Sequence, residues 1–90
     1  MSAVGGSGSN ESVIHIKNFS YTALTVAPGA VVTAHNMDGV AHTVTSDQAG
    51  LFNVNVPAGA MVTFKAPTKP GRYAYHCAYH GNMHGVLVVS

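Results

Sequence analysis

The stretch YHCAYHGNMHG, residues 75–85, decides how this chain is interpreted. It contains the only cysteine, Cys77, with His80 three residues later and Met83 three residues after that. A thiolate, an imidazole and a thioether form a soft ligand set, which binds copper in preference to magnesium, calcium or manganese. The stretch therefore predicts a copper site to which Cys77, His80 and Met83 contribute.

The segments around this stretch are short, rich in β-branched and aromatic residues, and separated by Gly, Pro, Asn and Asp. No segment has a helical period long enough to predict a helix. We expect about seven or eight strands packed as an all-β, two-sheet Greek-key sandwich. The predicted strands cover residues 13–19, 24–26, 30–35, 42–46, 52–56, 61–66, 72–77 and 86–89.

The strand that leads into Cys77 alternates in a way that predicts where the cysteine points. With the two-residue period of a strand, Tyr73, Tyr75 and Cys77 share one face, and Ala74 and His76 share the other. Two tyrosine rings on one face favour the core side of a sheet. We therefore expect Cys77 to point inward at one end of the core.

Three ligands from one stretch leave a fourth to come from another part of the fold. His42 is the candidate, because it opens a β-branched strand directly after a loop. Two imidazoles and one thiolate in a trigonal set, with a weak axial thioether, form the blue-copper electron-transfer site. His42, Cys77, His80 and Met83 together supply that set.

Composition excludes several other classes of function. The chain has 90 residues, which is enough for one modest core. Its four basic and three acidic side chains give a net charge of +1, which predicts no nucleic-acid partner. No apolar run is long enough to span a membrane, and one cysteine cannot form an internal disulfide.

We expect a monomer with a domain at residues 12–90, preceded at residues 1–11 by a flexible Gly/Ser-rich linker or an engineered tail.

Beyond its ligands, the chain resembles the cupredoxins, the type 1 blue-copper proteins. The spacing Cys77-x-x-His80-x-x-Met83 is similar to the short loop of amicyanin, whereas plastocyanin and pseudoazurin have longer loops. The resemblance extends from Val13 to Ser90. It is carried by the lead-in from Phe19 to Gly29, and by Asn36-x-Asp38-x-x-x-His42-Thr43-Val44, Gly71-x-Tyr73-x-Tyr75-x-Cys77 and Met83-x-Gly85-x-Leu87-Val88-Val89.

The resemblance implies a site and a function. His42, Cys77 and His80 would be equatorial ligands of one copper ion, Met83 the axial ligand, and the ring edge of His80 would reach solvent. The function implied is electron transport between Cu(I) and Cu(II) through His80, without enzymatic activity, in the periplasm or outside the cell, either free or membrane-tethered. Redox proteins would dock transiently on an uncharged patch at Gly39, Tyr79, Gly81 and Met83.

Two further residues receive roles from the same resemblance. The N–H of Thr43 would donate to the sulfur of Cys77, and the Thr43 hydroxyl would hold the ligand loop. Tyr73 would brace the end of its strand.

Several alternatives stay open from the sequence. A lone cysteine can be a small buried hydrophobe, and zinc also accepts two histidines and a cysteine. Copper sequestration or delivery would use the same ligands. An excised or oligomeric copper-enzyme module could hold a second copper at His76, next to Cys77.

Overall fold

A computed structural model describes residues 12–90, so the tail expected at residues 1–11 lies outside the described residues. Within residues 12–90 there is no helix long and apolar enough to cross a membrane. The regular structure of these residues consists of nine strands: β1 (Val13–Lys17), β2 (Ser20–Tyr21), β3 (Leu24–Val26), β4 (Val31–Asn36), β5 (His42–Ser46), β6 (Asn53–Val56), β7 (Met61–Lys65), β8 (Gly71–Cys77) and β9 (His80–Val89).

The strands form two sheets that enclose one core. The four-stranded sheet has the order β2-β1-β4-β7, and the five-stranded sheet has the order β3-β9-β8-β5-β6. Both sheets are mixed, because β1 pairs with β4 and β3 with β9 in parallel, while the other pairs are antiparallel. Both contribute to one buried apolar cluster, which confirms the predicted all-β sandwich.

The predicted alternation is confirmed where it matters most for the site. Ile14 and Ile16 of β1 are fully buried, and the residues between and after them are exposed. In β8 the side chains of Tyr75 and Cys77 are each 1% exposed. Cys77 therefore points into the end of the core.

Two strand boundaries differ from the sequence prediction by more than one residue, and β2 was not predicted. β1 ends at Lys17 rather than at residue 19, because Asn18 and Phe19 adopt left-handed φ angles of 53° and 59° and turn the chain into β2. β9 begins at His80 rather than at residue 86, because Cys77 pairs directly with His80 across a tight turn. The supposed ligand loop is thus mostly strand. Its histidine, methionine and glycine residues do not show the alternation of apolar and polar residues that predicts a strand.

Close packing between β8 and β9 fixes the strand that carries His80 and Met83. Gly85 lies opposite Tyr75 in the register of the two strands. A Cβ atom at Gly85 would be 2.6 Å from Cζ of Tyr75, a separation that real structures essentially never show. The Tyr75 ring is fully buried, so moving it would disturb the close-packed core.

Replacing Gly85 with alanine is therefore expected to destabilise the fold by about 1–3 kcal/mol, the usual range for an overpacked core. The measurement is urea unfolding of the metal-free protein. Gly39→Ala is the matched control, since a Cβ there meets nothing within 4 Å. Equal stability of the two variants would contradict the proposed close contact.

Candidate metal centre

Three of the four ligand candidates meet at one end of the sandwich. His42 begins β5, Cys77 ends β8 and His80 begins β9. One ligand atom from each of these side chains lies within 4.8 Å of the others. His42 and Cys77 are buried and His80 is half-buried. The fold therefore brings His42 to Cys77, 35 positions away in the sequence, and to His80.

The imidazole of His42 is held by Asp38. Its Nε2 lies 2.8 Å from Oδ2 of Asp38, and its Nδ1 lies 3.8 Å from Sγ of Cys77. An ionised carboxylate can only accept a hydrogen bond, so this contact favours the tautomer with hydrogen on Nε2. In that tautomer the lone pair of Nδ1 faces the sulfur. The side chain of His42 is thereby prepared to bind a metal through Nδ1.

The Nδ1–Sγ distance suits two ligands of one ion. Metal–nitrogen and metal–sulfur bonds of about 2.1 and 2.3 Å, meeting at a trigonal angle, separate their ligand atoms by about 3.8 Å. The distance in the structure is 3.8 Å. The residues therefore fit a trigonal metal site without movement of these two side chains.

Asp38 is kept ionised by the turn between β1 and β2. The N–H of Phe19 has the largest effect and lowers the pKa of the Asp38 carboxyl. Burial opposes this effect, but the N–H of Asn18 and the His42 ring add to it, so the pKa lies below its ordinary value. Asn18 N–H donates to Oδ1 at 2.7 Å, and Phe19 N–H to Oδ2 at 3.0 Å. The carboxylate thus joins this turn to the His42 ring.

The thiol of Cys77 is prepared to ionise. Burial raises its pKa, but the backbone N–H groups of Thr43, Tyr79 and His80, together with the His42 side chain, lower it by more, so that the pKa lies below its ordinary value. The thiolate is the form of cysteine that binds metals. The surroundings of Cys77 therefore suit a metal ligand better than an inert buried thiol.

Thr43 makes both contacts that were predicted for it. Its N–H donates to Sγ of Cys77 at 3.3 Å, and its hydroxyl accepts the N–H of Ala78 at 2.8 Å. In addition, the hydroxyl of Tyr21 donates to the Thr43 carbonyl. Thr43 therefore connects the cysteine, the turn that follows it and the opposite sheet.

Asn36 holds the loop that carries Asp38. Its side chain is fully buried, and its Nδ2 donates to the carbonyls of Val40 at 2.7 Å and Val56 at 3.0 Å. Its Oδ1 accepts the N–H of Asp38 at 2.9 Å. These bonds leave the loop little freedom between β4 and His42.

Phe19 is a site residue that the sequence did not reveal. Its ring centre lies 4.8 Å from that of His80 and 5.0 Å from that of His42, with edge-to-face geometry in both cases. His80 Nε2 is buried without a hydrogen-bond partner, which fits a ring nitrogen that binds a metal. His80 is therefore less exposed than expected, because Phe19 covers part of its ring.

Met83 occupies the core. It is 2% exposed and belongs to the same buried cluster as Cys77. This position is consistent with an axial thioether. Its inclusion in the expected docking patch was wrong, since a buried side chain cannot contact a partner; Gly39, Tyr79 and Gly81 are exposed as expected.

The structure gives no support for a second centre at His76. Its Nδ1 lies 2.6 Å from Oδ1 of Asp47, and its cross-strand partner is the exposed His84. His35 lies in the other sheet. Among residues 12–90, His42, Cys77 and His80 form the only group of at least three His, Cys, Asp or Glu residues placed to hold a metal ion.

Tyr73 has the bracing role that was expected of it. Its hydroxyl donates to the carbonyl of Lys69, in the turn before β8. This contact fixes the start of the strand that ends at Cys77.

Comparisons with known proteins agree with this geometry. Solved structures similar to this chain include a reduced amicyanin variant (28% identity, 87% of this chain and 80% of that chain, TM-score 0.72). They also include a purple cupredoxin from Nitrosopumilus maritimus (26% identity, 87% of this chain and 98% of that chain, TM-score 0.75). No curated protein sequence gives a significant match.

The family model of the cupredoxin-like domain matches residues 6–89, nearly the whole chain. His42, Cys77, His80 and Met83 fit the blue-copper site of such proteins. On its sequence, its fold and the arrangement of these side chains, the chain belongs to the cupredoxin-like family.

Proposed function

We propose that this chain is a one-electron carrier that holds one copper ion with His42, Cys77, His80 and Met83. The observation that carries the proposal is the buried Cys77 sulfur, which accepts the Thr43 N–H and lies 3.8 Å from Nδ1 of His42. A copper ion bound there supplies the couple between Cu(I) and Cu(II). The protein's contribution is to hold these ligands in one arrangement for both oxidation states.

The hydrogen bonds around the site support electron transfer because they limit rearrangement. The His42 ring is fixed by Asp38, the Cys77 sulfur by Thr43, and the Asp38 loop by Asn36. Ligands that are already positioned move little when the charge on the ion changes. A small rearrangement lowers the barrier to electron exchange, which is what a carrier requires.

Met83 favours copper over zinc as the resident metal. Two imidazoles and one thiolate suit either ion, but a thioether is a soft ligand that copper uses and structural zinc sites rarely do. Met83 lies three residues after His80 in β9 and is buried in the core, rather than in a solvated loop. Copper is therefore the cofactor we propose, at one ion per chain.

Electrons would enter and leave at the end of the molecule where His80 lies. Four large apolar side chains are exposed around this end, and we call them the end patch. Phe19 contacts His80 and His42, Tyr79 precedes His80, and Met37 and Val40 flank Asp38. Their exposed fractions are 49% for Phe19, 56% for Tyr79, 47% for Met37 and 44% for Val40.

The end patch suits a redox partner that docks briefly. Its four side chains carry no charge, and Asp38 beneath them is only 12% exposed. Exposed apolar patches mark interaction sites, and encounters between redox proteins are small and short-lived. We propose that a monomer meets its partners through this patch, in an exported compartment where copper carriers of this family are expected.

Copper storage or delivery is the competing function. It requires ready release of the ion, whereas His42 and Cys77 are 0% and 1% exposed and are held by fixed hydrogen bonds. Burial of two ligands favours retention. The carrier is therefore the better-supported function.

The proposed site predicts an intense blue absorption after one equivalent of Cu(II) is added to the metal-free protein, with narrow copper hyperfine splitting. Cys77→Ser should abolish the band, because the band arises from the copper–thiolate bond. His76→Gln is the matched control and should retain it. A colourless wild-type complex, or an unchanged band in Cys77→Ser, would overturn the site.

The end patch predicts that an added charge there slows electron exchange between two copies of the protein. Val40→Asp should lower the self-exchange rate, measured by NMR on mixed oxidation states, by roughly tenfold, and added salt should restore part of it. Val31→Asp is the control, since Val31 is 58% exposed and lies at the other end of β4. Equal rates for both variants would exclude docking through the end patch.

Phe19 should raise the reduction potential by keeping water from the ligands. Phe19→Asn removes the ring, and asparagine tolerates the left-handed backbone at this position. We expect the reduction potential of this variant to be lower by roughly 30–60 mV, which is up to about a tenfold change in the redox equilibrium. Phe19→Tyr retains the ring and should keep the potential. Cyclic voltammetry on the copper-loaded proteins makes the comparison, and an unchanged potential in Phe19→Asn would refute the covering role.

A further inference from the structure

A second set of metal-binding side chains crosses the outer face of the four-stranded sheet. His15 of β1 pairs with His35 of β4, and His35 pairs with Met61 of β7. The neighbours of His15 and His35 on their own strands are buried, and Val62, next to Met61, is half-buried against the core. The three side chains therefore form one row on the outside of the sandwich, which we call the outer row.

The two imidazoles of the outer row are close enough to share an ion. Their ring centres lie 6.0 Å apart, with the planes inclined by 60°. A metal–nitrogen bond of about 2.1 Å places an ion about 3.2 Å from a ring centre, so two rings on one ion can be up to about 6.4 Å apart. The rings of His15 and His35 satisfy this limit.

Met61 extends the row with a sulfur atom. Side chains at directly paired positions of neighbouring strands have Cβ atoms about 4.5–5.5 Å apart, so the flexible thioether of Met61 is within reach of His35. Met61 is 63% exposed, and it therefore contributes little to the core. An exposed thioether beside two imidazoles forms a soft, accessible ligand set.

We propose that His15, His35 and Met61 bind a second copper ion, as Cu(I), at a site independent of the proposed blue-copper centre. The thioether distinguishes this site from a two-histidine zinc site, because zinc gains little from a methionine ligand. Lys17 is two residues from His15 on the same face of β1, and its positive charge opposes binding of a cation. The outer-row ion is therefore held more weakly than the ion of the buried centre and exchanges with solvent.

The outer row lies on a different sheet from the ligands of the centre. His42, Cys77 and His80 belong to the five-stranded sheet, whereas all three outer-row residues belong to the four-stranded sheet. None of the outer-row residues belongs to the buried core cluster. Substitutions in the row can therefore remove one site without disturbing the other.

The test begins with reduced protein that already carries one equivalent of copper. Further Cu(I) is then titrated into it in competition with a chelator. We expect one additional bound equivalent. His35→Gln should weaken its binding by roughly tenfold or more, and Met61→Leu should weaken Cu(I) but leave Zn(II) binding by the two histidines unchanged. His84→Gln, an exposed histidine on the five-stranded sheet, is the control and should retain the second equivalent.

A second readout separates this proposal from the proposed carrier function. Ag(I), a redox-inert substitute for Cu(I), should shift the imidazole ¹⁵N resonances of His15 and His35 together, including in Cys77→Ser, whose centre is disabled. Absence of these shifts, a second equivalent that survives His35→Gln, or its loss in His84→Gln would overturn the outer-row site. The blue absorption should be unaffected by every outer-row variant.

Discussion

The bond from the Thr43 N–H to the Cys77 sulfur is the contact on which the rest of the site depends. Regular pairing between β5 and β8 is present at Thr45–His76 and Ser46–Tyr75. Continued pairing would place Thr43 opposite Ala78. Instead, the Thr43 N–H turns to the sulfur and the Thr43 hydroxyl accepts the Ala78 N–H. Side-chain atoms replace the backbone ladder there, so the sulfur is held at the edge of this pairing, where the ligand atoms of His42 and His80 lie within 4.8 Å of it.

A second constraint comes from the Asp38 carboxylate, which connects a surface turn to the buried ring of His42. It accepts the N–H groups of Asn18 and Phe19 and contacts Nε2 of His42. Left-handed backbone at a bulky residue such as Phe19 costs on the order of 1–3 kcal/mol. Two charge-assisted hydrogen bonds offset that cost. The result is that the Phe19 ring is held over both histidines of the site. The strained turn therefore shields the proposed metal centre from water.

His42, Cys77 and His80, named from the sequence as candidate ligands, come together in the fold, but their surroundings were predicted less well. Cys77, His80 and Met83 are close in the sequence and chemically distinctive, and the alternation of Tyr73, Tyr75 and Cys77 gave the direction of the sulfur correctly. Asp38 was recognised only as part of a resemblance, because nothing local shows that its carboxylate meets the ring of His42. Phe19 was placed in a strand, since a left-handed turn at Asn-Phe lacks the glycine that usually signals one. The burial of Met83 was missed because β9 begins earlier than predicted. That early start is decided by pairing with β8, which the sequence pattern does not reveal.

The most direct test of the account is X-ray absorption spectroscopy of the copper-loaded protein in both oxidation states. We predict one short copper–sulfur bond and two copper–nitrogen bonds in Cu(II) and in Cu(I), with only small changes in length between them, because the hydrogen bonds to Cys77 and His42 hold the ligands in place. A Cu(II) centre without a thiolate bond, or one that loses a histidine or the thiolate on reduction at neutral pH, would contradict the claim that the fold preorganises an electron-transfer site.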